Sequence, residues 1–165
     1  GQNQKILTFA QFLELVDGRV PLLVEVKGKK SGVDTDFVER IARQARKYEG
    51  PIALMSFNRA IVAALAERAP KIPRGEIVGG HQVLASIWAG RSGSRQGAAA
   101  ARTPGSSRTG IGFYAVDVKL VSVARKWLSR HAPDLPLFTW TVRTPRQRAA
   151  AARWADAPIF EGYEA

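Results

Sequence analysis

The sequence predicts an α/β fold built on a parallel sheet of about six strands, each followed by a helix. Three observations predict it. Short β-rich runs alternate with segments of helical period along most of the chain. Helices lying between consecutive strands act as crossovers and favour parallel pairing. The chain has 165 residues, 45% of them hydrophobic and 24% charged, which is enough to bury one core as a single domain spanning residues 1–165. Parallel sheets of this kind close into barrels or stay open as doubly wound layers, and period alone leaves both open.

The elements follow in order. Thr8 is placed to cap a helix in which Phe9, Phe12, Leu13 and Val16 recur at helical spacing until the DGRVP stretch stops it. A strand from Leu22 to Lys27 comes next. From Asp34, the residues Phe37, Val38, Ile41, Ala42 and Ala45 make one helix face, ended by YEGP. A strand IALMSF, a helix RAIVAALAERA, a short strand around PRGEIV and a helix over His81 to Trp88 follow. Residues 90–110 then interrupt as a basic Gly/Ser/Ala/Arg segment without apolar period, read as a low-complexity loop within the domain. The rhythm resumes with strand FYAVDVKL, helix SVARKWLSRHA, strand LPLFTWTV, a helix from Thr144 and a last strand APIFEG. TPRQ reads as a capping box, with Thr144 as cap, Pro145 at the first helical position and Gln147 three residues after the cap.

Residues two apart share a strand face, so Leu23, Glu25 and Lys27 point one way while Leu22, Val24 and Val26 point the other. One face is apolar; the other turns polar toward its C-terminal end. In α/β barrels functional groups gather at the C-terminal ends of the strands. Asp117 and Lys119 repeat the pattern after Phe113 and Ala115, and Arg143 ends the TWTV strand. The competing reading of Glu25 and Lys27 is a structural ion pair, or a strand emerging into water.

Several function classes lose support. No apolar run reaches the roughly eighteen residues of a membrane span, and no charged-then-apolar leader opens the chain, so the expected setting is cytoplasmic. With Cys 0, disulfides and thiolate zinc sites are excluded, which fits a reducing compartment. No Gly-x-Gly-x-x-Gly or Walker-type loop follows a strand. The balance of 25 basic against 14 acidic residues gives +11, which raises the question of nucleic acid. Its placement argues against that partner. Arg91, Arg95, Arg102 and Arg108 lie in the low-complexity segment, Arg40, Arg43, Arg46 and Lys47 decorate a helix face, and neither group has interleaved aromatics for base stacking.

Three stretches carry a resemblance. LTFAQFLELVDGRVPLLVEVK, YEGPIALMSFNRAIVAALAERAPKIPRG and LPLFTWTVRTPRQRAAAARWADAPIFEG resemble, in this order and spacing, the C-terminal two-thirds of the glycerophosphodiester phosphodiesterase family, its bacterial members above all. Only the basic segment and its flanks fall outside the likeness. The resemblance implies a partial TIM (β/α)8 barrel with about six of the eight strands. It also implies a reaction of lipid metabolism, the metal-assisted hydrolysis of a glycerophosphodiester to glycerol 3-phosphate and an alcohol. Glu25 then matches a carboxylate that binds a divalent cation, magnesium or calcium, and Lys27 a residue near the phosphate. Phe57 and Trp140 match aromatics at the pocket mouth, where they would shape the substrate site. Hard cations take carboxylate oxygen and polarise a phosphoryl oxygen, while a lysine offsets phosphate charge. For Phe57 and Trp140 core packing is the alternative.

The family's His-Arg-Gly strand, its Glu-x-Asp pair and its His-Asp pair have no counterpart in this chain. His81 and His131 match no catalytic position of the family and are read as surface histidines. The metal site is therefore incomplete and the acid/base pair missing. The expectation is a fragment of a longer enzyme, inactive alone, with strand edges open near Leu22 to Lys27 and Ile159 to Gly162 that favour self-association. Two rivals stand beside it: a non-catalytic barrel remnant binding a phosphate ester or a partner, and a basic nucleic-acid-binding domain.

Overall fold

The computed structural model describes residues 6–28, 32–80 and 110–163. Its elements are α1 (Phe9–Val16), β1 (Leu22–Glu25), α2 (Thr35–Lys47), β2 (Ile52–Ser56), α3 (Arg59–Arg68), β3 (Arg74–Val78), β4 (Phe113–Asp117), α4 (Val121–His131), β5 (Leu137–Val142), α5 (Pro145–Trp154) and β6 (Ala157–Phe160). The helix expected over His81 to Trp88 and most of the basic segment 90–110 lie outside the described residues.

Local chemistry sets the helix ends. The Thr8 hydroxyl accepts from the Gln11 amide while the Gln11 side chain accepts from Thr8, and Thr144 and Gln147 repeat this box with Pro145 at the helix start. Asp34 caps α2 by accepting from the Phe37 amide at 2.9 Å. Asp17, at φ 48°, ends α1 in the left-handed conformation.

The six strands form one sheet in the order β1-β2-β3-β4-β5-β6, every neighbouring pair parallel. Order in space thus follows order in sequence, with no reversal of the kind that creates the switch point of a doubly wound sheet. The helices pack against one face of the sheet. Val26 and Leu54 meet Val38, Ala42, Ile61 and Leu65 of α2 and α3, and Val78, Val116 and Leu137 meet Val121, Ala124 and Leu128 of α4. On the other face Met55, Ile77, Phe113 and Ala115 cluster with Ala53, Phe138, Trp140 and Ile159. Helices outside and side chains inside a curled sheet make a partial (β/α) barrel, which decides between the two architectures that period left open.

Three expectations are corrected. The strand expected over residues 22–27 ends at Glu25, so Lys27 lies beyond it rather than on it. The strand expected over residues 113–120 ends at Asp117; Val118–Leu120 form a 3-10 turn, because the Asp117 carboxylate accepts from the Lys119 amide at 2.9 Å and bends the chain. Lys119 is therefore not a repeat of Lys27. The last strand ends at Phe160, short of Gly162, whose φ of 81° breaks the extended run.

Candidate functional site

The inward face carries its polar and aromatic groups at one end. Register places Glu25 opposite Met55, Ile77 opposite Ala115 and Asp117 opposite Trp140, with Phe57 and Gly79 each two residues beyond an inward-facing strand residue. Glu25, Phe57, Gly79 and Asp117 therefore stand at or just past the C-terminal ends of four successive strands, and Trp140 lies in the C-terminal half of the fifth. Arg143 follows the end of β5 and pairs with Glu161 beyond β6, Nε to Oε1, at 2.5 Å.

Buried hydroxyls hold this end together. Ser56, 1% exposed, donates to the Val26 carbonyl at 2.6 Å and accepts from the Asn58 amide at 3.1 Å, which ties the exits of β1 and β2. Thr139, fully buried, donates to the Val116 carbonyl at 3.0 Å and does the same for β4 and β5. Each bond satisfies a group that would be costly to bury unpaired.

Phe57 and Trp140 come together. Their rings meet edge to face with centroids 5.4 Å apart, although 83 positions separate them in sequence (140 minus 57). The indole N–H donates to the Ala115 carbonyl at 3.0 Å, so Trp140 reaches back across β4 toward β3. There Gly79 makes room: a Cβ at that position would lie 2.9 Å from Cη2 and Cζ2 of Trp140 and 3.5 Å from Cε1 of Phe57. A β-bulge aids the placement. Between Thr139 and Val142 the register of β5 on β6 shifts, so that Trp140 and Thr141 together oppose Ile159. The extra residue also flips the alternation, and Val142 packs outward against Val118 and Ala151.

Glu25 and Lys27 also come together, with Nζ 3.1 Å from Oε1; the glutamate side chain is 29% exposed and the lysine 80%. The structure thus contains the ion pair that the structural reading expected, at the place where a barrel keeps its chemistry. Among the described residues no group of three His, Cys, Asp or Glu side chains is arranged to hold a metal ion. Glu25 alone does not make a cation cage, which needs several oxygen ligands. His131 sits in the last turn of α4, exposed, with its ring stacked on Trp127 at 4.8 Å. It is a surface histidine remote in the fold from the strand ends. His81 lies outside the described residues.

Sequence reading missed Gly79 as the seat of Trp140 and the bulge that aims it. The GG pair at residues 79–80, directly after a strand, was the available signal.

No family model matches the chain, and no curated protein matches it. Solved structures do. The fold matches a Silicibacter pomeroyi protein assigned as a glycerophosphoryl diester phosphodiesterase with TM-score 0.70 at 19% identity, over 92% of this chain and 52% of that one. An Oleispira antarctica phosphodiesterase, solved in complex with the product sn-glycerol-3-phosphate, matches with TM-score 0.66 at 12% identity, over 92% of this chain and 56% of that one. A Parabacteroides distasonis glycerophosphodiester phosphodiesterase matches with TM-score 0.62 at 14% identity, over 92% and 58%. At these identities the likeness shows the fold: this chain folds as part of the barrel seen in glycerophosphodiester phosphodiesterases. It spans little more than half the length of the proteins it matches.

Proposed function

We propose that this chain is the C-terminal part of a glycerophosphodiester phosphodiesterase-type barrel, and that the C-terminal ends of β1, β2, β3 and β5 bind a small phosphate ester of glycerol. The observation that carries the reading is the convergence of Glu25, Phe57 and Trp140 at one end of a barrel fold shared with phosphodiesterases. Phe57 and Trp140 form an aromatic wall for the apolar part of the ester. Lys27, 80% exposed, is free to turn from Glu25 toward a phosphate oxygen, exchanging one charge-assisted bond for another. Glu25 then presents its carboxylate as one ligand of a divalent cation, magnesium or calcium, which would supply polarisation of a phosphoryl oxygen. The remaining ligands are not among the described residues.

Hydrolysis also needs a proton donor for the leaving alkoxide and a base for the attacking group. The described strand ends carry no imidazole for either task. The chain by itself therefore binds and does not turn over. A cytoplasmic setting, consistent with the absence of cysteine, is part of the same proposal; among the described residues no helix is long and apolar enough to cross a membrane.

The test is incubation of the chain with glycerophosphocholine and magnesium or calcium, beside the same assay on Glu25→Ala. Equal, background-level release of choline is expected. Release well above the variant's would overturn the claim of inactivity while leaving the assignment of Glu25 intact. A non-catalytic binding role is supported if glycerol 3-phosphate binds more tightly with the cation than without it and no turnover follows.

A further inference from the structure

Charge is unevenly spread over the helical layer. On α2 and α3 acidic residues offset part of it: Glu39 pairs with Arg46 at 3.4 Å and Arg68 at 3.5 Å, and Glu67 lies 3.7 Å from Arg68, while Arg40, Arg43 and Lys47 on α2 have no salt bridge to a described residue. On α4 and α5 nothing offsets it. These two helices carry Arg125, Lys126, Arg130, Arg146, Arg148 and Arg153 and no acidic residue. Asp156 beside them is taken by Arg125 at 2.6 Å. The other five cations are exposed and have no salt bridge to a described residue.

The face between these cations has a distinct make-up. Val123, 42% exposed, stands on α4 beside Lys126 and Arg130, and the exposed Ala149 and Ala152 run along the outer side of α5. The nearby indoles are already covered. Trp154 has the Lys126 ammonium 5.8 Å and the Arg153 guanidinium 4.9 Å from its ring centroid, and Trp127 stacks on His131. Base stacking on single-stranded nucleic acid needs open aromatic faces, which these are not. Both helices pack along the sheet, so neither projects an end into a duplex groove. Cations set among small apolar side chains, with indoles beneath, suit a surface of anionic headgroups over hydrocarbon.

We propose that the outer face of α4 and α5 docks on an anionic phospholipid surface. Charge complementarity drives the contact, and Val123, Ala149 and Ala152 let the helices approach the headgroups without burying a polar group. The inference rests on the helical layer alone and is independent of the phosphodiesterase reading.

The experiment is co-sedimentation of the whole chain with vesicles of phosphatidylcholine alone or with about a third phosphatidylglycerol, at low and high salt. Binding to the anionic vesicles only, released by salt, is expected. The triple variant Arg130→Gln, Arg146→Gln, Arg153→Gln should weaken it by about tenfold or more. The control Arg40→Gln, Arg43→Gln, Lys47→Gln removes as many charges from α2 and should leave binding nearly unchanged. If the triple variant fails to fold, Arg130→Gln and Arg146→Gln singly should each weaken binding by about threefold. Three results overturn the proposal: binding without preference for anionic lipid, equal loss in the two triple variants, or tighter binding to a short DNA duplex lost in the same α4–α5 variant.

Discussion

Gly79 and Trp140 show how one absent side chain builds a wall of the site. Because a Cβ at Gly79 would lie 2.9 Å from the indole, Gly79→Val must displace Trp140 and separate it from Phe57. The overpacking should cost about 1–3 kcal/mol by thermal melting. Near-UV circular dichroism should lose the same tryptophan signal that Trp140→Phe removes, and an unchanged spectrum would contradict the seating. A second residue-scale case lies on the helical side of the sheet. Glu76 is 5% exposed, and its Oε1 accepts from Arg59 Nε at 2.6 Å. Burial, and then the Glu76 charge, push the Tyr114 phenol above its ordinary value, with Arg59 opposing them. Arg59→Ala leaves a carboxylate buried without its guanidinium and should destabilise the fold by about 2–3 kcal/mol, less than the full penalty for a buried pair because Arg59 itself is largely exposed. Adding Glu76→Gln should recover part of that loss.

At the scale of elements, Asp156 joins four of them. Its Oδ2 accepts from the Leu137 amide at 2.7 Å and from Arg125 at 2.6 Å, and Arg125 also donates to the Trp154 carbonyl at 2.9 Å. One carboxylate thus ties the starts of β5 and β6 to α4 and the end of α5. Burial pushes this carboxyl up, but the Leu137 hydrogen bond and the Arg125 guanidinium outweigh it and hold it below its ordinary 3.8. A carboxylate whose folded value is depressed contributes stability above its unfolded value and loses it as pH falls through the folded one. Wild-type stability should therefore drop below about pH 4, and Asp156→Asn should remove that part of the dependence. At neutral pH the variant should cost about 1 kcal/mol, since the side chain is half exposed and its charge is screened. Denaturant melts from neutral to acid pH check both statements, and parallel pH profiles for the two proteins would refute them.

The same scale shows what the sequence made legible. Thr8 and Thr144 were readable as caps because a cap is decided within three residues of its own position. Strand ends were not. FYAVDVKL keeps its alternation to Lys119, yet the Asp117 side chain captures the Lys119 amide, a local competition invisible to hydrophobic period. Nor does the strand Leu137–Val142 contain a Gly or Pro to flag its bulge, so the turn of Trp140 toward Gly79 depends on neighbours distant in sequence. Glu25 and Lys27 were legible as a pair because both sit on one short segment. The contact of Phe57 with Trp140 needed the strand order before it could be seen.

For the whole molecule, a sheet that runs from β1 to β6 without closing has two edges. Leu22 and Val26 donate to Pro51 and Met55, so alternation leaves the Leu23 and Glu25 amides on the open side of β1. β6 carries Pro158, which removes a donor and blunts its edge. Self-association should therefore run through β1, with Leu23 at 37% exposure adding apolar area. Light scattering should show mass rising with concentration, and Leu23→Lys should suppress the rise. A monomer at every concentration would remove this expectation.

The central claim is that the strand ends bearing Glu25, Phe57, Gly79 and Trp140 are the ligand site. Its most direct test is amide chemical-shift mapping of the chain on titration with glycerol 3-phosphate and calcium. Saturable shifts should centre on residues 25–28, 57–58, 79–80 and 140–141 and disappear in Trp140→Ala. Shifts centred instead on the basic faces of α4 and α5, or no saturable shifts at all, would contradict the account.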